Sequence, residues 1–323
     1  MTKDHTFCTL DEIDAVEIEW LWEPLIPYEK MTILEGDPEV GKSYLCMHLA
    51  ALVTKGGKLP DGSRVEEGSV LYISSEDDAA DTIRPRMEQM GADLKRVRVL
   101  DDFLLLDDSG QKRLRAELEE HEPDLVVLDT LYSFLSDKVD LNKPTSIRAA
   151  LHQLDKLFKE YGPAVILIRH WTKGGKGKAI YRGVGSIDVV GVARTVLAVA
   201  KHPDNENLRI LAQVKNNIGP KPKSFVYEIV AQPEGLPIIE WRGTVHYSAD
   251  DLEQQGHGEQ GAVESAATFL RETLAQGPIK FTKISDRAEK AGISQASLNR
   301  AKRQLGVESK KESTGWYWRL DKP

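Results

Sequence analysis

The fold is decided by eight residues, Gly36-Asp37-Pro38-Glu39-Val40-Gly41-Lys42-Ser43, which match the pattern G-x-x-x-x-G-K-[ST]. An apolar run, Met31-Thr32-Ile33-Leu34, stands before them, and a helical pattern from Tyr44 to Lys55 follows them. Strand, glycine loop and helix in this order are the context in which the pattern binds phosphate, because loop N–H groups and the helix N-terminus both attract anions. A chance match in a turn is the alternative, and the order of the elements disfavours it.

The pattern predicts that ATP contacts every residue of this loop and the residue after it. The expected nucleotide-binding residues are Gly36, Asp37, Pro38, Glu39, Val40, Gly41, Lys42, Ser43 and Tyr44. Lys42 has the length to reach the β- and γ-phosphates, and the Ser43 hydroxyl suits a Mg²⁺ ion. Glu39 is an acid within the loop, so its carboxylate is tolerated only if it points away from the phosphates.

Short apolar runs alternate with helical patterns after the loop, which predicts an α/β fold with a mostly parallel sheet covered on both faces. The predicted strands here are Val70–Ser74, Val97–Leu100, Asp124–Asp129 and Ala164–Ile168, and the predicted helices are Ala79–Met90, Gln111–Glu120 and Thr145–Tyr161. After Arg194 the long helices disappear, and four further runs predict an antiparallel extension of the sheet. These runs are Thr195–Lys201, Leu208–Val214, Phe225–Val230 and Leu236–Trp241.

The pattern predicts three parts: a nucleotide-binding domain over residues 1–247 with an N-terminal segment 1–30, a polar linker over 248–261, and a domain over 262–323. The last part carries predicted helices Glu264–Gln276, Phe281–Ala291 and Gln295–Leu305 and a hairpin from Ser309 to Leu320, an order typical of a winged helix-turn-helix. Residues 263–323 contain 12 basic and 7 acidic residues, whereas the whole chain has a net charge of −8. This asymmetry indicates a basic module attached to an acidic one.

Three side chains at predicted strand ends could support hydrolysis. Asp129 ends an apolar strand, where an acid can hold the metal shell; capping the next turn is the alternative. Glu76 follows the strand Val70–Ser74 and could activate water, although an acidic first turn of a helix would look the same. His170 follows the strand Ala164–Ile168 and could sense the γ-phosphate, or serve the structure alone.

Basic residues are also needed to neutralise charge in the transition state, and a neighbouring subunit often supplies them. The residues considered for this role are Arg86, Arg182, Arg194 and Lys215. Arg194 interrupts the apolar run Val189–Ala200, and a buried arginine is costly unless it meets an acid or a phosphate. Each of the four, taken alone, is more typical of a surface or salt-bridge residue.

Two stretches are suited to contact DNA. The segment 172–183 has glycines and no acid, and its cations Lys173, Lys176, Lys178 and Arg182 could follow a single-stranded backbone, with Trp171 and Tyr181 stacking on bases. The third C-terminal helix presents Arg300, Lys302 and Arg303, with Lys310, Lys311 and Trp316-Tyr317-Trp318 on the predicted wing. A solvated loop and a protein-interaction module are the respective alternatives.

The composition fits a soluble globular protein, with 41% hydrophobic and 29% charged residues. No window approaches a membrane span and the N-terminus lacks a signal pattern, so no membrane partner is expected. Two cysteines, Cys8 and Cys46, make neither a disulfide framework nor a zinc site, and Cys46 is expected in the core. Cytoplasm is the expected compartment.

Several of these motifs together resemble the RepA-like branch of the RecA/DnaB superfamily, P-loop ATPases of the AAA_25 type that include hexameric replicative helicases. The resemblance spans roughly residues 15–230. It is carried by Trp20-Leu21-Trp22-Glu23-Pro24-Leu25-Ile26-Pro27, Glu76-Asp77, Arg86 with Gly91, Leu128-Asp129, His170 and Tyr181-Arg182-Gly183-Val184-Gly185-Ser186. It implies a RecA-like core in which Lys42 and Ser43 bind phosphate and magnesium, Glu76 is the catalytic glutamate, Asp129 the Walker B acid and His170 the sensor.

The chain departs from this family at two places. Asn217 stands where DnaB-type helicases have the arginine of Lys-x-Arg, so the resemblance leaves the trans-acting finger to Lys215 or Arg194, with Arg86 at a further functional position. Glu39 stands where many relatives have glycine. The expected function is an ATP-driven hexameric helicase on single-stranded DNA in plasmid, phage or mobile-element replication, whose winged helix binds DNA or a replication protein. A filament-forming recombination or repair ATPase and an ATP-switched DNA-binding regulator remain the alternatives.

Overall fold

The computed structural model describes residues 8–100, 104–135, 139, 144–171, 188–249, 251, 259–275, 277–312 and 315–320. The strands are β1 Trp20–Trp22, β2 Ile26–Pro27, β3 Met31–Gly36, β4 Val70–Ser74, β5 Val97–Val99, β6 Leu125–Asp129, β7 Ala164–His170, β8 Thr195–His202, β9 Asn205–Asn216, β10 Ser224–Val230, β11 Ile238–Val245, β12 Ile279–Lys280, β13 Glu308–Glu312 and β14 Gly315–Arg319. The helices are α1 Lys42–Val53, α2 Arg84–Gln89, α3 Asp108–His121, α4 Pro144–Tyr161, α5 Asp188–Val192, α6 Glu259–Leu274, α7 Phe281–Lys290 and α8 Gln295–Gln304.

A nine-stranded sheet forms the centre of the structure, in the order β11-β10-β9-β8-β3-β7-β6-β4-β5. Within the part β8-β3-β7-β6-β4-β5, each strand is parallel to the next. Within the part β11-β10-β9-β8, each strand is antiparallel to the next. The prediction of a mostly parallel sheet with an antiparallel extension is therefore confirmed. Strand β3, which leads into the glycine loop, lies near the middle of the sheet.

Both faces of this sheet are covered, because successive side chains of a strand point to opposite sides. In β6, Leu125 and Val127 pack in the cluster that contains α1, while Val126 and Leu128 pack in the cluster that contains α3 and α4. All four side chains are fully buried. A continuous apolar strand is thus what a sheet between two helical layers requires.

The C-terminal segment, residues 259–320, contains α6, α7 and α8 and a three-stranded antiparallel sheet in the order β12-β14-β13. It has a separate apolar cluster centred on Leu270, Ile284, Leu298 and Trp318. Helix α6 begins at Glu259, inside the stretch 248–261 for which the composition predicts a linker. The remaining helix bounds lie within three residues of those expected.

One predicted helix is divided in the structure. The expected helix Ala79–Met90 consists of a π-helical turn, Ala79–Ile83, followed by α2. Pro85 lies in the first turn of α2, where it has no N–H to donate to the preceding turn. Asp78 caps the π-helical turn through hydrogen bonds from the backbone N–H groups of Ala80 and Asp81.

Candidate nucleotide site

The site lies at the carboxyl edge of the parallel strands. Gly36 at the end of β3 is in register with His170 at the end of β7, and Ser74 at the end of β4 is in register with Asp129 at the end of β6. Parallel strands end at one edge, so residues that are far apart in the chain meet there. The sequence-predicted residues Lys42, Asp129, Glu76 and His170 are therefore brought together.

The glycine loop is shaped by close backbone contacts. Gly41 precedes α1 in a left-handed conformation, with φ +92°, and a Cβ atom there would lie 2.6 Å from Ile229 Cδ1. A Cβ atom on Gly36 would lie 2.3 Å from the Val199 carbonyl oxygen. Only glycine fits either position, so the backbone can curve close to a ligand. The cradle suits the phosphates predicted from the sequence.

Lys42 extends back over this loop. Its Nζ donates hydrogen bonds to the carbonyls of Gly36 and Asp37, at 3.1 and 2.8 Å, and to His170 Nδ1 at 3.1 Å. Burial lowers the pKa of Lys42 from 10.5 to about 8, although the carboxylates of Asp129, Asp37 and Glu76 favour its charged form. A desolvated ammonium beside a glycine loop is poised to bind an anion.

Asp129 is buried at the end of β6, 1% exposed. The Tyr72 hydroxyl donates a hydrogen bond of 3.0 Å to its Oδ2. Burial raises the pKa of the Asp129 carboxyl, and the neighbouring hydroxyls of Ser43 and Tyr72 act in the opposite direction. Its Oδ1 is buried and has no hydrogen-bond partner among the described residues. An unsatisfied carboxylate oxygen beside the Ser43 hydroxyl fits the oxygen donors that Mg²⁺ prefers.

Glu76 faces Asp129 and His170 from the turn after β4. Its Oε1 lies 3.5 Å from Thr130 Oγ1 and 3.5 Å from His170 Nε2. The Glu76 side chain is 53% exposed, so solvent reaches its carboxylate. Because His170 Nδ1 accepts the hydrogen bond from Lys42, Nε2 is the ring nitrogen that can donate a proton toward Glu76. His170 therefore joins the loop lysine to the predicted catalytic glutamate.

Arg86 lies on α2, beside the site. Its guanidinium forms a 3.0 Å ion pair with Asp77 and stacks over the Tyr44 ring, 4.9 Å from the ring centre. Arg86 and Tyr44, both predicted site residues, are thus in contact with each other. The pair connects α2 with the first turn of α1.

One pair of residues next to the site was not predicted from the sequence. Glu35 precedes Gly36, Arg169 precedes His170, and the two are cross-strand neighbours. Arg169 Nε donates to Glu35 Oε2 at 2.7 Å, with both side chains 0 to 1% exposed. The sequence did contain a signal for this pair. Each apolar strand carries one charged residue directly before a motif residue, and the two charges are opposite. The pair ties β3 to β7 directly behind the loop.

The expected burial of Arg194 is wrong. The residue lies at the edge of the sheet opposite the glycine loop. It is exposed, in the junction between α5 and β8, and its backbone N–H bonds to the carbonyl of Met31 at the start of β3. The five-residue rise of β3 places it about 16 Å from Gly36 along the strand. The apolar run around Arg194 belongs to two elements, and the arginine occupies the solvent-facing turn between them.

Lys215 is near Arg194 and is held by the backbone. Its Nζ donates to the carbonyls of Val190 and Ala193 at 2.7 and 2.8 Å, which satisfies the end of α5. Burial lowers the pKa of Lys215, and the charge of Arg194 adds to this effect. Neither cation is directed at the glycine loop of its own chain.

The predicted DNA contacts are described only in part. Lys173, Lys176, Lys178, Arg182 and Tyr181 lie outside the described residues, as do the side chains of Arg300 and Arg303 on α8. Lys302 Nζ bonds to Ser309 Oγ at 2.6 Å and lies 4.7 Å from the Trp318 ring centre. The stacking role considered for Trp171 is wrong: its indole is 3% exposed and packs in a cluster with the small residues Ala198, Ala200 and Ala212.

Cys46 is buried as expected. Over the part of the chain that the structure describes, no helix has the length and apolarity needed to cross a membrane.

A glycine loop on β3 with a buried aspartate on β6 defines a P-loop nucleotide-binding protein. A family model described as AAA domain matches residues 10–176, more than half of the chain, so the chain belongs to this family.

Similar curated proteins are named DNA repair protein RadA. That of Brucella abortus (strain 2308) is 27% identical over 207 residues, covering 61% of this chain and 38% of the relative. Those of Streptococcus pneumoniae (strain ATCC BAA-255 / R6) and Mycobacterium tuberculosis (strain CDC 1551 / Oshkosh) are 24% and 28% identical, covering 62% and 51% of this chain and 42% and 31% of the relatives. The chain thus spans about two-fifths or less of these relatives' length. The predicted membership of the RecA-like P-loop superfamily is confirmed, whereas the RepA-like branch stays a prediction.

Proposed function

We propose that this chain hydrolyses ATP to drive movement along single-stranded DNA and to separate duplex. The observation that carries the proposal is the connected set Lys42–His170–Glu76 above the glycine loop, since it links a phosphate-binding group to a group that can activate water. DNA as the track is supported by the basic C-terminal segment and by the similarity to proteins named as DNA repair proteins.

The hydrogen bonds of Lys42 suggest how nucleotide would be sensed. An ammonium has three N–H donors, and Gly36, Asp37 and His170 take all three. A phosphate oxygen can bind Lys42 only if one of these bonds is given up. Release of His170 would alter its contact with Glu76, so the carboxylate would be positioned for water when phosphate is present.

Ser43 and Asp129 are the residues that would hold Mg²⁺. The ion would neutralise negative charge on the phosphates and thereby make the outer phosphorus easier to attack. Glu76 is exposed, lies outside this pair and would accept the proton of the attacking water. Asp129 and Glu76 thus take different roles because their surroundings differ in burial.

A trans-acting finger is supported by the position of Arg194. About 16 Å separates it from its own loop, so contact with a phosphate requires a second subunit. Lys215 would have to break two hydrogen bonds to act, whereas the Arg194 guanidinium forms no hydrogen bond or ion pair with the described residues. We therefore assign the finger to Arg194 and propose a homo-oligomer, a hexameric ring, as the active form. Replication of plasmid, phage or mobile-element DNA remains the proposed setting.

We propose further that the C-terminal segment is a winged helix-turn-helix that follows a linker. Helices α6 to α8 and the β13–β14 hairpin occur in the order that this fold requires. Its basic composition supports contact with DNA, and a replication protein is the other proposed partner.

A second function is favoured by the comparisons. The relatives are named as DNA repair proteins, so a recombination or repair ATPase that forms filaments on DNA is the alternative. Both functions use the same nucleotide site. They differ in the assembly and in whether duplex is opened.

The test is the ATPase rate with and without single-stranded DNA, measured beside strand separation and the mass of the assembly with ATP. We expect DNA to stimulate hydrolysis, and Lys42→Ala to abolish both hydrolysis and unwinding. Arg194→Ala should also lose hydrolysis, and mixing it with Lys42→Ala should restore part of the activity, because each variant supplies what the other lacks at a shared site.

Four results would contradict the proposal. Unwinding by Lys42→Ala would exclude the nucleotide site, and an active monomer would exclude the ring and the finger. Filaments without strand separation would favour the repair ATPase, and slow hydrolysis that DNA does not change would favour a regulator.

A further inference from the structure

The β12-β14-β13 sheet of the C-terminal segment has two chemically different faces. Trp318 is paired with Ile279 on one side and Ser309 on the other, and it is buried against the apolar cluster of this segment. Directly paired residues share a face, and so do alternate residues of a strand. Trp316 and its partner Lys311 therefore lie on the face of Trp318, nearer the end of the hairpin.

The acidic residues of β13 lie on the opposite face of the sheet. Glu308 and Glu312 alternate with Ser309 and Lys311 along β13, so they point the other way. Glu308 there forms an ion pair with Arg319, at 2.8 Å. The pattern Glu-Ser-Lys-Lys-Glu of β13 thus leaves a serine and a lysine, without an acid, beside the tryptophans.

Lys302 of α8 extends the same face. Its Nζ lies over the Trp318 ring and donates to the Ser309 hydroxyl, which occupies one of its three N–H donors. Helix α8 contains no acidic residue between Gln295 and Gln304. Trp316, Lys311 and Lys302 are hereafter the tryptophan face.

Trp316 is the unusual member of this set. Its side chain is 52% exposed at the end of the hairpin, and it is one of few large apolar side chains in the described residues with such exposure. Trp318, two residues later, is 5% exposed and supports the hairpin from the core. Packing within this chain therefore accounts for Trp318 and leaves about half of Trp316 accessible to a ligand.

We propose that the tryptophan face binds single-stranded nucleic acid, with one unpaired base stacked on Trp316 and the adjoining phosphates bound by Lys311 and Lys302. An exposed indole shares its face with two cations, Lys311 of β13 and Lys302 of α8, and neither β13 nor α8 contributes an acid to that face. Such a surface complements a chain of flat bases joined by anions. A duplex fits less well, because its bases already stack on each other. This proposal rests on the proposed DNA role of this chain. Trp316 and the two lysines would bind the strand outside the nucleotide site.

The first test is the affinity of the full chain for dye-labelled dT20, followed by fluorescence anisotropy without nucleotide. Trp316→Ala should weaken binding about tenfold, since one stacked base is lost, and Trp316→Phe should recover part of it. Lys311→Ala should lower the slope of log affinity against log salt by about 0.7, the effect of one phosphate contact on a single strand.

Lys310→Ala is the matched control. Lys310 is the neighbour of Lys311 on the same strand, it is also exposed, and its pairing with Tyr317 places it on the opposite face. Both substitutions remove one positive charge, so only the face differs. Lys310→Ala should therefore lower the affinity and the salt slope less than Lys311→Ala does, because Lys310 lies outside the tryptophan face.

A second measurement locates the base. A dT20 strand that carries 5-iodouracil should crosslink on illumination to the peptide that contains Trp316. Equal losses in Lys310→Ala and Lys311→Ala would overturn the proposal, because charge alone would then explain binding. Unchanged affinity in Trp316→Ala without that crosslink would overturn it too.

Two further ligands distinguish the chemistry of the strand. Equal binding of rU20 and dT20, both weakened by Trp316→Ala, would assign the site to unpaired bases of either kind. If Trp316→Ala weakens the binding of a 20-base-pair duplex as much as the binding of dT20, the site binds duplex, and this result would contradict the proposal. These binding measurements contain no ATP, so their outcome does not depend on the proposed hydrolysis. The proposed hydrolysis is tested separately with Lys42→Ala.

Discussion

ATP binding should change the protonation of Lys42. In the structure described here, burial lowers the pKa of this lysine to about 8. Bound phosphates would supply the negative charge that favours the ammonium, so its pKa should return to the usual value of 10.5 or above. At a pH between these two values the protein must therefore take up a proton as ATP binds.

The size of the effect follows from the two pKa values. At pH 9 only about a tenth of the nucleotide-free protein carries a charged Lys42, so binding should take up about 0.9 proton. At pH 7 the lysine is already charged, and the uptake should fall to about 0.1 proton. Because of the same pKa shift, keeping Lys42 charged lowers the free energy of unfolding of the nucleotide-free protein by about 3 kcal/mol.

The sign of the pH dependence is fixed by this shift. The folded pKa lies below the unfolded pKa, so between pH 8 and 10.5 the unfolded chain binds more protons. The contribution of Lys42 to stability is therefore unfavourable below pH 8 and becomes less so as the pH rises to 10.5. Nucleotide should remove this dependence.

Isothermal titration calorimetry in two buffers of different ionisation enthalpy measures the proton uptake directly. Lys42→Met should abolish the uptake at pH 9, and Lys55→Met, at an exposed position after the same helix, should retain it. Uptake of similar size at pH 7 and pH 9, or its persistence in Lys42→Met, would refute the assignment of this lysine to the phosphates.

Three other substitutions test neighbouring features. Arg169→Met should lower the free energy of unfolding by about 3 to 5 kcal/mol in urea titration, because it removes the cation that pairs with the buried Glu35 carboxylate. The double variant Glu35→Leu/Arg169→Met should regain most of the loss, and a double variant as unstable as the single one would contradict this. Glu39→Gly should raise the free energy of unfolding by about 1 kcal/mol in thermal denaturation, because Glu39 has φ +64°, a left-handed conformation that glycine adopts without strain; a decrease would argue for a role of the carboxylate. Glu76→Gln should bind ATP with unchanged affinity and hydrolyse it at least about 100-fold more slowly, and a rate near that of the unmodified chain would exclude Glu76 as the base.

The parallel sheet and its glycine loop could be predicted because their signals are local. The loop residues Gly36 to Ser43 are contiguous, and each buried strand is an unbroken apolar run bounded by polar residues. Asp129, Glu76 and His170 were predictable for the same reason, since each stands just after such a run. The carboxyl ends of parallel strands then meet without further information.

Burial of particular side chains was less predictable. Arg194 was expected in the interior because apolar residues flank it, yet it occupies the turn between α5 and β8. Trp171 was expected to be available for stacking, yet three alanines of the extension leave space for its indole. Both outcomes depend on which element ends where and on what packs against it, and neither is encoded in the few residues around the position.

The amino-acid sequence alone determined the class of this protein, because a phosphate-binding loop requires specific residues at adjacent positions and a buried parallel strand requires an uninterrupted apolar run. Only the tertiary structure decided which groups interact: the Glu35–Arg169 pair, the contacts of Lys42 with His170 and of His170 with Glu76, the edge on which Arg194 lies, and the face that Trp316 shares with Lys311. These pairings join residues separated by 5 to 134 positions or depend on strand register. Register and strand order are properties of the assembled sheet, so no local pattern specifies them.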